Sequence, residues 1–179
     1  MSHSAALSSR IAGYALLAGL AVLLVLRLVC VSSHISELRP IGGGDSAPDF
    51  RLPLLAGGEF HLDEPGHVTV LDFWATWCGP CRQELPNVDE LYRRVRDRGV
   101  RVVAVDIEGE AMLPAVREIV AGQGLKLPIA LRGEEAANAY RVNSLPHLVI
   151  VDGAGRIRKV LMGVHGVDAL LEAVEAASR

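Results

Sequence analysis

The chain has 179 residues, 50% of them hydrophobic and 22% charged, with a net charge of -3 and a pI near 6.1. That supplies one ordinary core once any targeting segment is set aside, and with lysine and arginine spread along helical stretches instead of gathered in a stripe, nucleic acid is excluded as a partner. Three cysteines, Cys30, Cys78 and Cys81, are too few for a disulfide-stapled scaffold, so the close pair serves another purpose.

Residues 11–31 are apolar except for Arg27. As a helix they would span roughly 31 Å, about the hydrocarbon thickness of a bilayer. Residues 27–31 read RLVCV, which offers no small-x-small cleavage site. Residues 1–31 are therefore expected to be a cytoplasmic tip and one retained transmembrane helix. Val29 is too large for a lipoprotein signal at Cys30, and Arg27 lies close enough to one end to snorkel. Orientation stays open on charge alone, because Arg10 and the amino terminus are matched by Arg27 and Arg39. Residues 32–44, with three consecutive glycines, read as a flexible linker, and 45–179 as the working domain.

Within that domain, residues 50–55 and 59–62 flank Gly57 and Gly58 and predict a hairpin. Residues 68–74 are apolar apart from Thr69 and Asp72, the pattern of a central strand buried on both faces. Leu85, Val88, Leu91, Tyr92 and Val95 recur at helical spacing until Gly99. A strand is expected over 100–107, a helix over 111–121, a short strand over 127–131 and a short helix over 134–140. Strands 147–151 and 157–162, joined by the turn DGAG, must be antiparallel, and an amphipathic helix over 167–177 closes the chain. The fold class is α/β: a mixed central sheet with helices on both faces, an N-terminal hairpin, and one transmembrane helix before it.

The C-x-x-C at Cys78 and Cys81 falls at the junction of a strand and a helix, where such a pair signals redox chemistry. At the helix N-terminus, unpaired N–H groups and the positive end of the dipole stabilise the Cys78 thiolate, making it the nucleophile. Cys81, about one turn further in, is placed to attack the resulting mixed disulfide. Tetrahedral zinc needs two more ligands, and no second C-x-x-C or paired histidines exist, so neither metal nor cofactor is expected.

The stretch VLDFWATWCGPCRQELP, with APDF before it and LPHLVIVDGAGRI after, resembles the thioredoxin superfamily, and within it the membrane-anchored TlpA/ResA-like branch. The resemblance covers residues 45–177. It implies a thioredoxin fold on the extracytoplasmic side of a bacterial inner membrane, a dithiol that reduces disulfides of exported proteins such as apocytochrome c, and a membrane electron donor. Cys78 matches the attacking cysteine, Cys81 the resolving one, and Pro146 the cis-proline beside which a bound peptide adds as a strand. Asp72 matches the buried acid of ordinary thioredoxins, where the anchored branch more often has asparagine. Glu84 matches an acid near the dithiol of that branch. The chain departs from the pattern at Ser144, where glycine is frequent, and at His147, where threonine usually follows the proline.

A buried carboxylate with a raised pKa beneath Cys81 would accept its proton, and Asp72 is the candidate base. Glu84, one turn beyond Cys81, is a second candidate. Trp77, Gly79, Pro80, Leu145 and Pro146 are expected to form the surface that meets substrate, Trp74 to sit in the core, and Pro86 to kink the helix. His147 is expected to be partly exposed at a strand start, and His61, His67 and His165 to be scattered and solvated. Two rival functions resemble parts of this pattern. GDSAPDF also resembles the start of peroxiredoxins, but those place threonine three residues before the reactive cysteine, and Thr76 is two before Cys78. A copper-binding module with His147 as third ligand would resemble C-x-x-x-C, one residue wider. The Gly79-Pro80 dipeptide resembles that of reducing thioredoxins.

Overall fold

The computed structural model describes residues 17–30, 41–62 and 66–178. The chain divides into two units, Met1–Pro40 and Ile41–Arg179. In the first, residues 17–30 are helical and their side chains exposed. At 1.5 Å per residue this stretch is about 21 Å long, and among the described residues no helix is long and apolar enough to cross a membrane. Residues 11–16 and 31 of the expected anchor, and 32–40 of the expected linker, lie outside the described residues.

In the second unit, strands β1 (Arg51–Pro53) and β2 (Glu59–His61) form the expected hairpin, a two-stranded sheet of its own. Its turn uses Gly57 and Gly58 at φ of 96° and 80°, a region open to glycine and strained for other residues. The remaining elements are β3 (Val68–Trp74), α1 (Gly79–Val95), β4 (Val100–Asp106), α2 (Leu113–Gln123), β5 (Ile129–Ala130), α3 (Glu134–Ala139), β6 (His147–Val151), β7 (Ile157–Met162) and α4 (Val167–Ala177). Five strands make a mixed sheet in the order β5-β4-β3-β6-β7. β3, β4 and β5 run parallel, whereas β6 is antiparallel to both β3 and β7.

The continuous apolar run of β3 has the physical cause expected of it: the strand is central and buried from Thr69 to Trp74. Alternation then sorts its side chains. Val70 and Trp74 join Leu148 and Ile150 in an apolar cluster with α1, α4, Cys78 and Cys81. Leu71 and Phe73 join Val149, Val151 and Tyr140 in a second cluster, on the other face, which the hairpin residues Leu52 and Phe60 extend.

Among the boundaries that differ from expectation, three do so for local reasons. Residues Glu110–Met112 wind as a 3-10 turn, so α2 begins at Leu113, where Pro114 fits the first turn. β5 keeps only two paired residues because its flanks bond elsewhere: Leu131 N–H donates to the Pro53 carbonyl, and Leu127 N–H to Asp89 Oδ1 at 2.7 Å. Residues 41–44, expected in the linker, lead into the domain, where Gly44 N–H donates to the Ile157 carbonyl at 2.7 Å and Ile157 N–H to that of Asp45 at 2.8 Å.

α1 carries the site and is pinned along its length. It continues through Pro86, which lacks the N–H that would bond the Arg82 carbonyl. That carbonyl accepts from Gln123 Nε2 at 2.9 Å instead, so the proline couples α1 to α2. Further along, Asp89, 1% exposed, accepts the amides of Lys126 and Leu127 and pairs with Arg93. Replacing Asp89 with alanine strands two inward-facing amides and should cost about 2–4 kcal/mol, read as a lower denaturant midpoint with an unchanged slope.

Candidate active site

β3 ends at Trp74, and a short turn brings Cys78 to the N-cap of α1. There Cys78 has extended backbone angles, φ −81° and ψ 100°, and its Sγ accepts the Cys81 N–H at 3.2 Å. A sulfur thus fills the place that a serine or aspartate oxygen takes at most helix starts. Gly79 and Pro80 occupy the first turn, where a missing proline N–H costs nothing. The two sulfurs are joined in a disulfide, S–S 2.02 Å with Cα atoms 5.3 Å apart. Both cysteines are nearly covered, 4% and 1% exposed, while Trp77 beside them is 69% exposed. Trp77 and Arg82 border a groove of about 450 Å³ whose far wall is Ile119 and Gln123 of α2.

Asp72 lies on the dithiol's face of the sheet by alternation with Val70 and Trp74. It is 1% exposed, and its Oδ1 has no hydrogen-bond partner. Burial raises its pKa well above the ordinary carboxyl range, and the charge of Glu84 raises it further. Glu84 is fully buried on α1. Its Oε1 accepts the His165 N–H at 2.9 Å and lies 3.3 Å from His165 Nδ1, whereas Oε2 has no partner. Burial pushes Glu84 upward, and the His165 amide and ring pull it back.

The bond from Leu145 to Pro146 is cis. Because Phe73 stands opposite His147 in the β3–β6 ladder, Leu145 and Pro146 come level with the turn that leads to Cys78. Pro146 is buried, Leu145 half-buried, and the Pro146 carbonyl accepts Gly163 N–H at 3.1 Å. The same sheet end exposes Met162 and Val164, which follow from β7.

Two histidines depart from expectation. His147 is 4% exposed, not partly open, and its ring meets Phe73 edge-on at 6.2 Å on the face opposite the dithiol. Both ring nitrogens lack partners and burial lowers its pKa, so it is a neutral core residue and not a neighbour of the two sulfurs. Strand alternation from Leu148 held the signal. His165, expected in solvent, instead contacts Glu84 from the loop between β7 and α4, and its carbonyl accepts from Asn87 Nδ2 at 2.9 Å. Sequence reasoning also missed Glu108: its carboxylate takes both the amide and, at 3.0 Å, the hydroxyl of Thr76, two residues before Cys78. Beside it, burial pushes Asp106 up to about 7, the Glu108 amide pulling against this and its carboxylate adding to it.

These features define a thioredoxin-fold thiol-disulfide oxidoreductase, with the redox pair at a helix start, a buried acid below and a cis-proline alongside. The chain belongs to the AhpC/TSA family, whose profile matches residues 43–160. It is 36% identical over 146 residues to the thiol-disulfide oxidoreductase ResA of Geobacillus thermodenitrificans, covering 80% of this chain and 83% of the relative. The ResA of Bacillus anthracis is 34% identical over 122 residues, 67% of this chain and 69% of its own. Among solved structures, a Chlorobium tepidum protein assigned as thiol:disulfide interchange protein DsbE superposes with TM-score 0.68 at 31% identity, over 76% of this chain and 98% of that one. StoA from Bacillus subtilis gives 0.63 at 25% identity, over 71% and 96%.

The buried acids give a pH signature. Asp72 and Asp106 ionise more readily unfolded, near pH 4, than folded, so above that value the unfolded state releases protons that the folded state retains, and stability falls as pH rises. Asp72→Asn should gain midpoint relative to the parent as pH is raised from about 5 to about 8. Asp106→Asn should show its relative gain complete soon after about pH 7. Urea midpoints across that range check both.

Proposed function

We propose that the protein reduces disulfides of exported proteins, apocytochrome c among the candidates, with Cys78 attacking and Cys81 resolving. The observation that carries this reading is the Cys78 sulfur at the start of α1, bonded to Cys81 and on the same sheet face as the buried carboxyl of Asp72. In the reduced protein the Cys78 thiolate attacks a substrate disulfide, forming a mixed disulfide and releasing one substrate thiolate, which takes a proton from solvent. Cys81 then gives its proton to Asp72 and attacks Cys78 Sγ. The S–S bond of the resting form closes, and the second substrate sulfur leaves with the electron pair. Glu84 tunes Asp72 through its charge. Trp77, Gly79, Pro80, Leu145 and Pro146 form the contact surface; the exposed Trp77 and the groove beside it favour an extended partner segment.

Each turnover leaves the disulfide, so a donor of two electrons must regenerate the dithiol, and a membrane protein fits that part. Residues 1–31 are read as tip and anchor, 32–44 as linker and 45–179 as the extracytoplasmic domain of a bacterial inner-membrane protein. The apolar composition of 11–31 and the exposed helix over 17–30 support this. The AhpC/TSA match favours one other reading, reduction of a peroxide at Cys78. Against it, the Thr76 hydroxyl is already taken by Glu108.

In a disulfide-reduction assay, Cys81→Ser should accumulate mixed disulfides with substrate, whereas Cys78→Ser should neither trap nor reduce. Equal trapping by both, or by neither, removes the assignment, and faster turnover of hydrogen peroxide than of a peptide disulfide selects the peroxidase. For placement, a reporter active only outside the cytoplasm, fused after Arg179, should be active. Activity of a cytoplasmic reporter alone at that point reverses the anchor.

A further inference from the structure

Residues 75–77 leave the sheet where β3 ends and carry the chain to Cys78, so whatever holds them sets where Trp77 stands. The β3–β4 register ends on the pair Trp74 and Asp106, and one bond more, from Ile107 N–H to the Trp74 carbonyl at 3.1 Å, closes it. Beyond that point Glu108 takes over from the ladder. Its Oε2 accepts the Thr76 amide, and its Oε1 the Thr76 hydroxyl at 3.0 Å. Two bonds to one carboxylate fix direction as well as distance. Thr76 is 8% exposed under this clamp, whereas Trp77, the next residue, is 69% exposed.

The base of the clamp is itself anchored. Glu108 N–H turns back to Asp106 Oδ1 at 3.3 Å, and the Asp106 carbonyl accepts Gly133 N–H at 2.7 Å from the start of α3. Only glycine fits that approach: a Cβ at 133 would lie 2.4 Å from Val105 Cγ1 and 2.9 Å from the Asp106 oxygen. On the other side, Cys78 N–H donates to the Ala75 carbonyl at 3.1 Å as α1 begins. Trp77 thus stands between a clamped residue and a helix start, at the edge of the groove it shares with Thr76, Arg82 and Ile119. We propose that Glu108 is a positioning residue for substrate affinity: by clamping Thr76 it holds Trp77 in the pose that an extended, disulfide-bearing polypeptide meets. This rests on the reading of Trp77 and its groove as the contact surface. A side chain this exposed would otherwise have to be ordered on binding, at a cost to affinity. Glu108 acts on the grip on polypeptide and takes no part in the exchange between sulfurs.

The test uses the reduced full chain in single-turnover reduction of two substrates: an extended peptide with one disulfide, and the small disulfide of mercaptoethanol, too short to lie along the groove. Glu108→Ala should lower the ratio of second-order rate constants, peptide over small disulfide, by roughly 3-fold to 10-fold, and raise the half-saturation concentration for the peptide by the same factor. Glu108→Gln, whose amide can accept from the Thr76 N–H and donate to its hydroxyl, should keep the parent ratio. Trp77→Ala should lower the ratio too, and adding Glu108→Ala to it should lower it little further, because one residue acts through the other. A parent-like ratio in Glu108→Ala overturns the proposal. So does a Gln variant as impaired as the Ala variant, which assigns the effect to charge, and so do two substitutions whose effects multiply in full. If Trp77→Ala keeps the parent ratio, the groove reading fails and the proposal with it; a parent that reduces neither disulfide fails the reductase reading instead.

Discussion

A carboxyl group in the middle of a strand buried on both faces has no favourable place for a charge, and the working end of this protein is organised around that fact. Asp72 is carried by β3, whose ladders to β4 and β6 leave its backbone no freedom to bring the side chain toward water. Taking an isolated carboxylate out of water costs so much that the group binds a proton more tightly than it would in solvent. A structural acid would have been given an arginine or a lysine; Asp72 keeps an oxygen with no hydrogen-bond partner. The fold thereby holds a carboxyl whose proton affinity is set by burial, on the face where the two sulfurs lie.

α1 is the counterpart of β3. Its first residues supply the sulfur and the amides that stabilise a thiolate, and the turns that follow supply Glu84, Asn87 and Asp89, each of which accepts from or donates to a segment far along the chain. Even Pro86 contributes, because the carbonyl it leaves free is taken by α2. The helix is thus tied to the loop before α4, to the approach to β5 and to the end of α2, which together hold its start still relative to the sheet. A dithiol whose two sulfurs must meet and part repeatedly needs such a rigid frame.

Much of this was legible in the sequence. The apolar run of β3 agrees residue for residue with the strand, because a strand covered on both faces tolerates few polar side chains and ends where they begin. The start of α1 was legible because cap chemistry is local. Pro146 was identified through resemblance, and it is cis. The histidines were not legible from a list of their positions. His147 follows a proline near the site in sequence, yet the two-residue period of β6 turns its ring to the other face, beside Phe73. His165 lies 81 residues from Glu84, a separation no periodicity encodes. Glu108 was missed for the same reason, since its hold on Thr76 depends on β3 and β4 lying side by side.

The sheet's order also bears on how the protein avoids its own kind. Open strands recruit other strands, and this sheet has two edges. One, β5, has only two paired residues. The other, β7, exposes Arg158 and Lys159, and the segment around Gly44 to Ser46 lies along its first residues through main-chain bonds. Cations and a short covering strap oppose edge-to-edge stacking. The redox domain therefore keeps its backbone edges guarded, while the aromatic and thioether side chains of Trp77 and Met162, at the disulfide's end of the sheet, stay open to solvent.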